Sequence, residues 1–267
     1  MLKRLFFLGA AAASAGAAIG FSRARTEFRT WGIDPADVTK ELPGDELVPE
    51  AEAIDTRSLD IAAPPKDVWP WLVQMGYGRA GWYSWDQLDM NVPSADRIVP
   101  ELQQLAVGDV VPTHPGGGFK VRILEPEQAL VLYTDRALID AQAKAAPQGV
   151  ADASANVRAT GMYLDKTMQG DFQASWAFAL EPTPDGGTRL IERFRGRMAA
   201  APGMAGEPTK APPKFAGTML VFGLFVMVRR QLQGIRDRAE GRPLSPGWFA
   251  SMLPKAPAAP VAPPTPA

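Results

Sequence analysis

The sequence contains no cysteine and one histidine among its 267 residues. The missing cysteines exclude disulfides, thiol nucleophiles and thiolate zinc sites. The single histidine, His114, excludes multi-histidine metal centres and allows at most one Ser-His-Asp arrangement. Basic and acidic residues nearly balance, at 28 and 29, so the chain has no basic field for nucleic acid. We therefore predict no metal site, no cofactor and no nucleic-acid partner.

The chain begins with a targeting or anchoring segment. Basic residues flank an uncharged run over residues 5–21. The basic start and the small-residue A-x-A sites are typical of a cleaved signal peptide. The arginines behind the run are typical of a retained helix, although a membrane span needs about 20 apolar residues. Residues 1–29 are thus either a single membrane anchor, acting through residues 5–21, or a signal whose removal leaves an exported protein.

Three further regions follow this segment. Prolines and a Leu-Pro-Gly-Asp turn over residues 42–45 predict an extended, acidic connector over residues 30–55. Patterned elements over residues 56–241 predict one folded domain. Alanine and proline then dominate residues 242–267 without a core pattern, which is typical of a disordered or polyproline-like tail.

Hydrophobic periodicity within the domain predicts a strand, two short helices, a run of antiparallel strands and a long C-terminal helix. Residues 56–61 alternate as a strand, and two helices should follow, one from Pro64-Pro65 to Gly76 and a short one over residues 85–90. Ser84 and Gln87 form a capping-box pattern for the second. Further strands are predicted over residues 107–112, 119–124 and 129–134, and in a hairpin over residues 172–181 and 188–197. Residues 135–170 read as an insertion.

The last predicted helix starts at Phe215 and ends before Gly241. Its apolar run over residues 215–228 is too short for a membrane span of about 20 residues, so we favour a core helix. This order of elements indicates an α+β domain. A curved antiparallel sheet wrapped around a long C-terminal helix would leave a space that can serve as a ligand cavity.

The amino-acid sequences of several segments resemble those of a known superfamily. The run VWPWLVQMG over residues 68–76 carries the likeness, which continues through residues 78–86, 97–103, 175–181 and 234–240. These segments are similar to the START/polyketide-cyclase-like (SRPBCC) superfamily, in particular to its uncharacterised bacterial membrane-associated members. The resemblance implies a helix-grip fold. It implies no single activity, because the superfamily includes lipid carriers, hormone receptors and cyclases.

Aromatic residues supply the first candidates for ligand binding. Trp82, Tyr83 and Trp85 lie on a glycine-flanked loop, where binding roles concentrate. They either stack on a flat apolar ligand or pack into the core. On the first arm of the hairpin, Trp176 belongs to one of two possible inward-facing sets, which would place its ring against the cavity.

Charged residues supply the others. Arg79 either forms an ion pair with Asp86 or Asp89 or receives an acidic head group through its planar fork. His114 lies on a Pro/Gly-rich loop that offers no acidic residue to orient it.

Arg193 shares one strand face with Arg195 and Arg197, and that face is either an outer surface paired with acids or an anion-binding wall. The predicted ligand-binding set is Arg79, Trp82, Tyr83, Trp85, Asp86, His114, Trp176 and Arg193. We predict no catalytic residue.

Three functions compete on these observations. The leading hypothesis is a monomeric, non-enzymatic domain that binds or carries a small hydrophobic or lipid-like molecule at or beyond the membrane. The alternative is a cyclase, dehydratase or hydrolase in the same cavity, with Arg79, Asp86 and His114 as acid-base groups. A third possibility is a structural module that presents its loops to a partner.

Overall fold

The structure is a computed structural model that describes residues 24–35, 37–89, 93–146, 171–199 and 214–244. The predicted N-terminal segment up to residue 23, most of the predicted insertion and the tail from residue 245 lie outside the described residues. Within them, no helix combines the length and apolar character that a membrane crossing requires.

Six antiparallel strands form one sheet in the order β1-β6-β5-β4-β3-β2. Their bounds are β1 Ala53–Ile61, β2 Val110–His114, β3 Gly117–Glu125, β4 Ala129–Asp135, β5 Asp171–Pro182 and β6 Thr188–Ala199. The predicted hairpin is confirmed as β5 and β6, which pair in continuous register from Asp171↔Ala199 to Pro182↔Thr188. Register shifts in the β2–β3 and β3–β4 pairs mark irregularities of the bulge type, which bend a sheet.

Strand β2 begins three residues later than predicted. The Asp109 carboxylate accepts a hydrogen bond from the Ala106 backbone N–H at 2.9 Å. Between them, Gly108 has a φ of 98°, which closes a turn that non-glycine residues rarely form. This turn occupies the start of the predicted strand.

The longer helices of the described residues are α1 Pro65–Val73, α2 Arg136–Ala145 and α3 Lys214–Ala239. Residues 24–29 are also helical, and short 3-10 helices lie over Asp45–Leu47 and Pro100–Leu102. A proline opens α1, where its missing N–H removes no helical hydrogen bond. Helix α2 lies inside the predicted insertion and is capped by Asp135, whose carboxylate accepts from the Leu138 N–H at 2.7 Å.

The second short helix predicted over residues 85–90 is a single turn in its described part. The Leu88 and Asp89 backbone N–H groups both donate to the Trp85 carbonyl, at 2.7 and 2.9 Å. The predicted cap does not form, because the Ser84 hydroxyl donates to the Met227 carbonyl on α3 at 3.0 Å.

Helix α3 lies across one face of the sheet, which we call the inner face, and also contacts α1. Its Gly234 is buried against the loop before residue 84, since a Cβ there would lie 2.1 Å from the Tyr83 carbonyl oxygen. Only glycine allows this approach. The core between helix and sheet includes Ile61, Leu72, Leu132, Phe178, Leu190, Leu232 and Ile235.

The opposite face of the sheet, the outer face, is covered by residues 37–50 of the predicted connector. Leu42 and Val48 are buried there, and Leu42 packs with Ala179 and Ile191. Before reaching this face the chain passes the edge of β1, where the Ser58 N–H donates to the Trp31 carbonyl at 3.0 Å. The protein therefore has an α+β helix-grip fold, a curved antiparallel sheet around a long C-terminal helix.

Candidate functional site

A cavity of about 330 Å³ lies between the inner face of the sheet and helix α3. Most of its surface is apolar, and its lining comes from β1, β2, β3, β5, β6, α3 and the loop before residue 90. The lining residues are Asp55, Arg57, Trp82, Ser84, Asp89, Thr113, Phe119, Trp176, Glu192, Phe194, Leu224, Met227, Val228 and Gln231.

Aromatic rings build one wall of this cavity. Trp82 from the loop stacks on Trp176 of β5, with ring centroids 5.3 Å apart and planes 25° apart. Phe119 of β3 meets Trp176 edge-on at 6.2 Å. Such a wall offers ring faces and edges to a flat apolar ligand.

A polar cluster on β1 and β6 lies next to this wall. The Arg57 guanidinium donates to Glu192 at 3.2 Å and to Asp55 at 3.3 Å, while its Nε donates to the Phe28 carbonyl at 2.8 Å. The Trp176 indole N–H donates to the other oxygen of Glu192 at 2.8 Å. Both oxygens of Glu192 thus have a donor, and the cluster fixes the indole plane of Trp176.

Burial dominates the electrostatics of Glu192. It raises the pKa of this carboxyl to about 7, although the charge of Arg57 and the Trp176 hydrogen bond oppose the shift. The negative charge of Asp55 raises the pKa further. Glu192 therefore changes its protonation near neutral pH, on the lining of an apolar cavity.

A second carboxyl on the lining, that of Asp89, differs from Glu192 in its hydrogen bonds. Burial and the charge of Asp86 raise its pKa to about 7, with the Ser84 hydroxyl opposing the shift. Its Oδ2 is buried, and no group among the described residues donates a hydrogen bond to it. Buried acceptors are almost always paired, so this oxygen marks a position where a partner is expected.

Two of the predicted ligand-binding residues, Trp82 and Trp176, lie on the cavity lining. Tyr83 and Trp85 are buried outside it, where Arg238 and Arg230 of α3 lie over their rings at 4.6 and 5.6 Å. These two rings therefore hold the loop against α3.

Arg79 and Asp86 lie outside the lining and do not pair with each other. Arg79 donates to the carbonyls of Met75, Val73 and Leu102, at 3.0, 3.0 and 3.2 Å, where α1 ends. Asp86 accepts from the Ser94 hydroxyl at 2.6 Å. Both groups thus connect loop segments to each other.

His114 and Arg193 also lie outside the lining. The His114 Nδ1 accepts from the Gly116 N–H at 3.0 Å, in the turn between β2 and β3. Arg193 points to the outer face, where it donates to Asp45 at 2.6 Å and to the Lys40 carbonyl at 2.7 Å. The predicted set is therefore divided between the cavity, the loops and the outer face.

Sequence reasoning missed Arg57, Asp89 and Glu192. The sequence of β1 offers one signal: Asp55 and Arg57 lie at alternate positions, on the same strand face as the buried Ile61. Charged residues on the same strand face as core residues indicate a buried polar cluster. Asp89 gave no such signal, because its environment depends on the position of α3.

The described residues contain no group of three or more His, Cys, Asp or Glu side chains that could hold a metal ion.

Comparison with known proteins gives structural similarities only. No family profile and no curated protein matches the sequence. A Mesorhizobium loti protein is similar at 18% identity and a TM-score of 0.33, over 68% of this chain and 96% of that one. A conserved Geobacillus kaustophilus protein is similar at 12% identity and a TM-score of 0.34, over 71% and 96%.

The di-domain ARO/CYC StfQ of the steffimycin biosynthetic pathway is similar at 13% identity and a TM-score of 0.36, over 74% of this chain and 54% of that one. TM-scores this low carry no argument about function. The fold class rests on the strand order and on the long helix across the inner face.

Proposed function

We propose that the protein binds a small, mostly apolar molecule in the cavity between the inner face and α3. One observation carries this proposal: a largely apolar space of about 330 Å³ has an aromatic wall and a few polar groups. Pockets that bind small molecules have volumes of about 300–1,000 Å³ and this kind of lining. The volume favours a small ligand over a long-chain lipid.

The aromatic wall and the polar cluster have separate tasks in this proposal. Trp82 and Trp176 contact the apolar body of the ligand, since their stacked rings lie on the lining. Glu192 and Arg57 hold the Trp176 indole, so the wall exists before the ligand arrives. A wall that is already ordered loses little side-chain entropy on binding.

Binding is favoured over the alternative, an enzyme that uses Arg79, Asp86 and His114 as acid-base groups, because of where these three residues lie. Arg79, Asp86 and His114 would have to share one pocket for that chemistry. None of the three belongs to the cavity lining. Attachment to the membrane through residues 5–21 stays a prediction, which an intact-mass measurement of the mature protein can test.

A cavity-filling variant tests the proposal. Thr113→Trp places a large ring on the lining from edge strand β2, whereas Val110→Trp adds the same ring to an exposed position of that strand. The titrated probe is N-phenyl-1-naphthylamine, whose fluorescence rises in apolar surroundings. Far-UV circular dichroism establishes that both variants are folded.

We expect the full chain and the Val110→Trp variant to bind the probe equally. Thr113→Trp should lose at least about tenfold in affinity, which corresponds to about 1.4 kcal/mol. Absence of binding to the full chain, or equal binding by both variants, would contradict the proposal.

A further inference from the structure

We infer that the cavity selects apolar molecules that carry a protonated amine, with Asp89 Oδ2 as the acceptor of the amine N–H. The inference rests on the proposed function and adds the chemical class of the ligand. It concerns Asp89, a loop residue that takes no part in the contacts of the aromatic wall.

The three carboxyls that the described part of the chain contributes to the lining differ in their partners. Asp55 forms ion pairs with Arg29 and Arg57, at 2.9 and 3.3 Å, although its Oδ1 is also a buried oxygen without a hydrogen-bond donor among the described residues. Glu192 accepts from Arg57 and from Trp176. Asp89, by contrast, forms no ion pair within the described part of the chain, and its Oδ2 has no donor there. The lining carboxyl without an ion pair among the described residues is thus also the one on the loop side of the cavity.

The positive charge of the lining is already neutralised. Among the described residues of the lining, Arg57 is the one arginine or lysine, and its Nε, Nη1 and Nη2 each donate to a protein acceptor. A ligand carboxylate would therefore meet carboxyls and an engaged guanidinium. An ammonium group would meet an available acceptor at Asp89 and form a charge-assisted hydrogen bond.

The charges around Asp89 give the expected dependence on pH. Asp86 lies on its own loop, β1 contributes Asp55 and Arg57, β6 contributes Glu192, and the lining residues of α3 are uncharged. A bound ammonium favours the ionised carboxylate, so binding should release a proton when the solution pH is below the raised pKa of Asp89. The affinity for an amine should accordingly rise between pH 6 and pH 8.

The experiment compares three probes with one apolar body and different polar groups: 2-naphthylmethylamine, 2-naphthylmethanol and 2-naphthoate. Isothermal titration calorimetry measures their affinities for the full chain, for Asp89→Asn and for Asp86→Asn. The Asp86 variant removes a neighbouring carboxylate that lies outside the lining. Urea unfolding of each variant shows whether the substitution has disturbed the fold.

We expect the amine to bind at least about tenfold more tightly than the alcohol, because hydrogen bonds to charged groups contribute about 1.5–3 kcal/mol. The naphthoate should bind most weakly. Asp89→Asn should remove the preference for the amine and leave the alcohol within about threefold, while Asp86→Asn retains the preference.

Other outcomes overturn the inference in distinguishable ways. Equal binding of the three probes, a preference for naphthoate, or an amine preference that survives in Asp89→Asn refutes the inference and leaves the proposed function standing. If none of the probes binds, the inference fails together with the proposed function.

Discussion

The two faces of the sheet use charged residues in opposite ways, and strand β6 shows both. Glu192 points to the inner face and lines the cavity, whereas the next residue, Arg193, points to the outer face and holds the connector. The alternation of a strand separates the two side chains. Adjacent residues therefore belong to different parts of the molecule, one to the candidate site and one to the scaffold.

The faces also differ in how completely their polar groups are paired. On the outer face, Arg193 donates to Asp45, Thr56 and two carbonyls, and Arg195 donates to the Val48 carbonyl. On the cavity side, Asp55 of β1 and Asp89 of the neighbouring loop each retain a buried oxygen without a hydrogen-bond donor from the described residues, and Asp89 also has no ion pair there. Complete pairing indicates a structural role, and a missing donor beside a cavity indicates a place for a ligand.

The largest effect on stability is expected from removing an ion pair on the outer face. Arg193→Ala removes a guanidinium whose side chain is 3% exposed and leaves Asp45 without this partner. Removing one member of a buried pair costs about 3–5 kcal/mol, so the free energy of unfolding in urea should fall by that amount. Ligand affinity of the folded protein should be unchanged. Arg197→Ala, which breaks a pair with the exposed Glu50, is the control and should cost less than about 1 kcal/mol.

A smaller effect is expected where α3 meets the loop beside the cavity. Gly234→Ala should reduce the free energy of unfolding by about 1–3 kcal/mol, because the added methyl group meets the Tyr83 carbonyl. Gly223→Ala lies in the same helix with open space around it and should gain up to about 1 kcal/mol of helix propensity. Equal thermal shifts in the two variants would contradict the close contact of α3 with the loop.

The pH dependence of stability tests the inner face. The folded protein binds a proton at Glu192 more tightly than the unfolded chain, since its pKa rises from 4.5 to about 7. The stabilisation linked to this proton is therefore present below pH 4.5 and is lost as the pH rises to about 7. Asp89, whose pKa is also raised to about 7, contributes a similar decline. Chemical unfolding between these pH values should show the combined decline, and Glu192→Gln should remove the part that belongs to Glu192. A stability that rises over this range for the unmodified protein, and equally for the variant, would contradict the burial of Glu192.

The smallest effect is expected from trimming the aromatic wall. Trp176→Phe keeps a ring on β5 but loses part of the stack on Trp82 and the hydrogen bond to Glu192. Aromatic pairs contribute about 0.5–1.5 kcal/mol, so affinity for 2-naphthylmethanol should fall by roughly threefold to tenfold. Trp69→Phe, outside the lining, should leave the affinity unchanged.

Most of the fold could be predicted because its signals are local. The Asp-Gly-Gly turn predicts the β5–β6 hairpin, and the apolar run after Phe215 predicts the helix α3. The core residues of α3 include Leu232 and Ile235, whereas Phe222 and Leu224 of the apolar run are exposed. The turn at residues 85–89 was predicted as a helix because the capping pattern at Ser84 is local too. Its hydroxyl instead bonds to Met227, which lies 143 residues along the chain.

The candidate site was less predictable because it depends on such long-range contacts. Arg57 and Glu192 meet across paired strands 135 residues apart in sequence. Arg193 was a candidate because a strand face with several arginines can bind anions. In the structure most of its partners, among them the Lys40 carbonyl, belong to the connector on the outer face. Trp82 and Trp176 were predicted individually, while their stacking follows from the packing of the loop on the sheet.

Binding between the inner face and α3 is tested most directly by finding which tryptophan side chains a bound ligand perturbs. Indole N–H signals in a ¹H–¹⁵N NMR titration of the full chain with 2-naphthylmethylamine distinguish the cavity from the rest of the molecule. We predict shifts of the Trp82 and Trp176 signals, while the signal of Trp69, which lies outside the lining, stays in place. Shifts confined to Trp69, or no shift of Trp82 and Trp176 at saturating probe, would contradict binding between the inner face and α3.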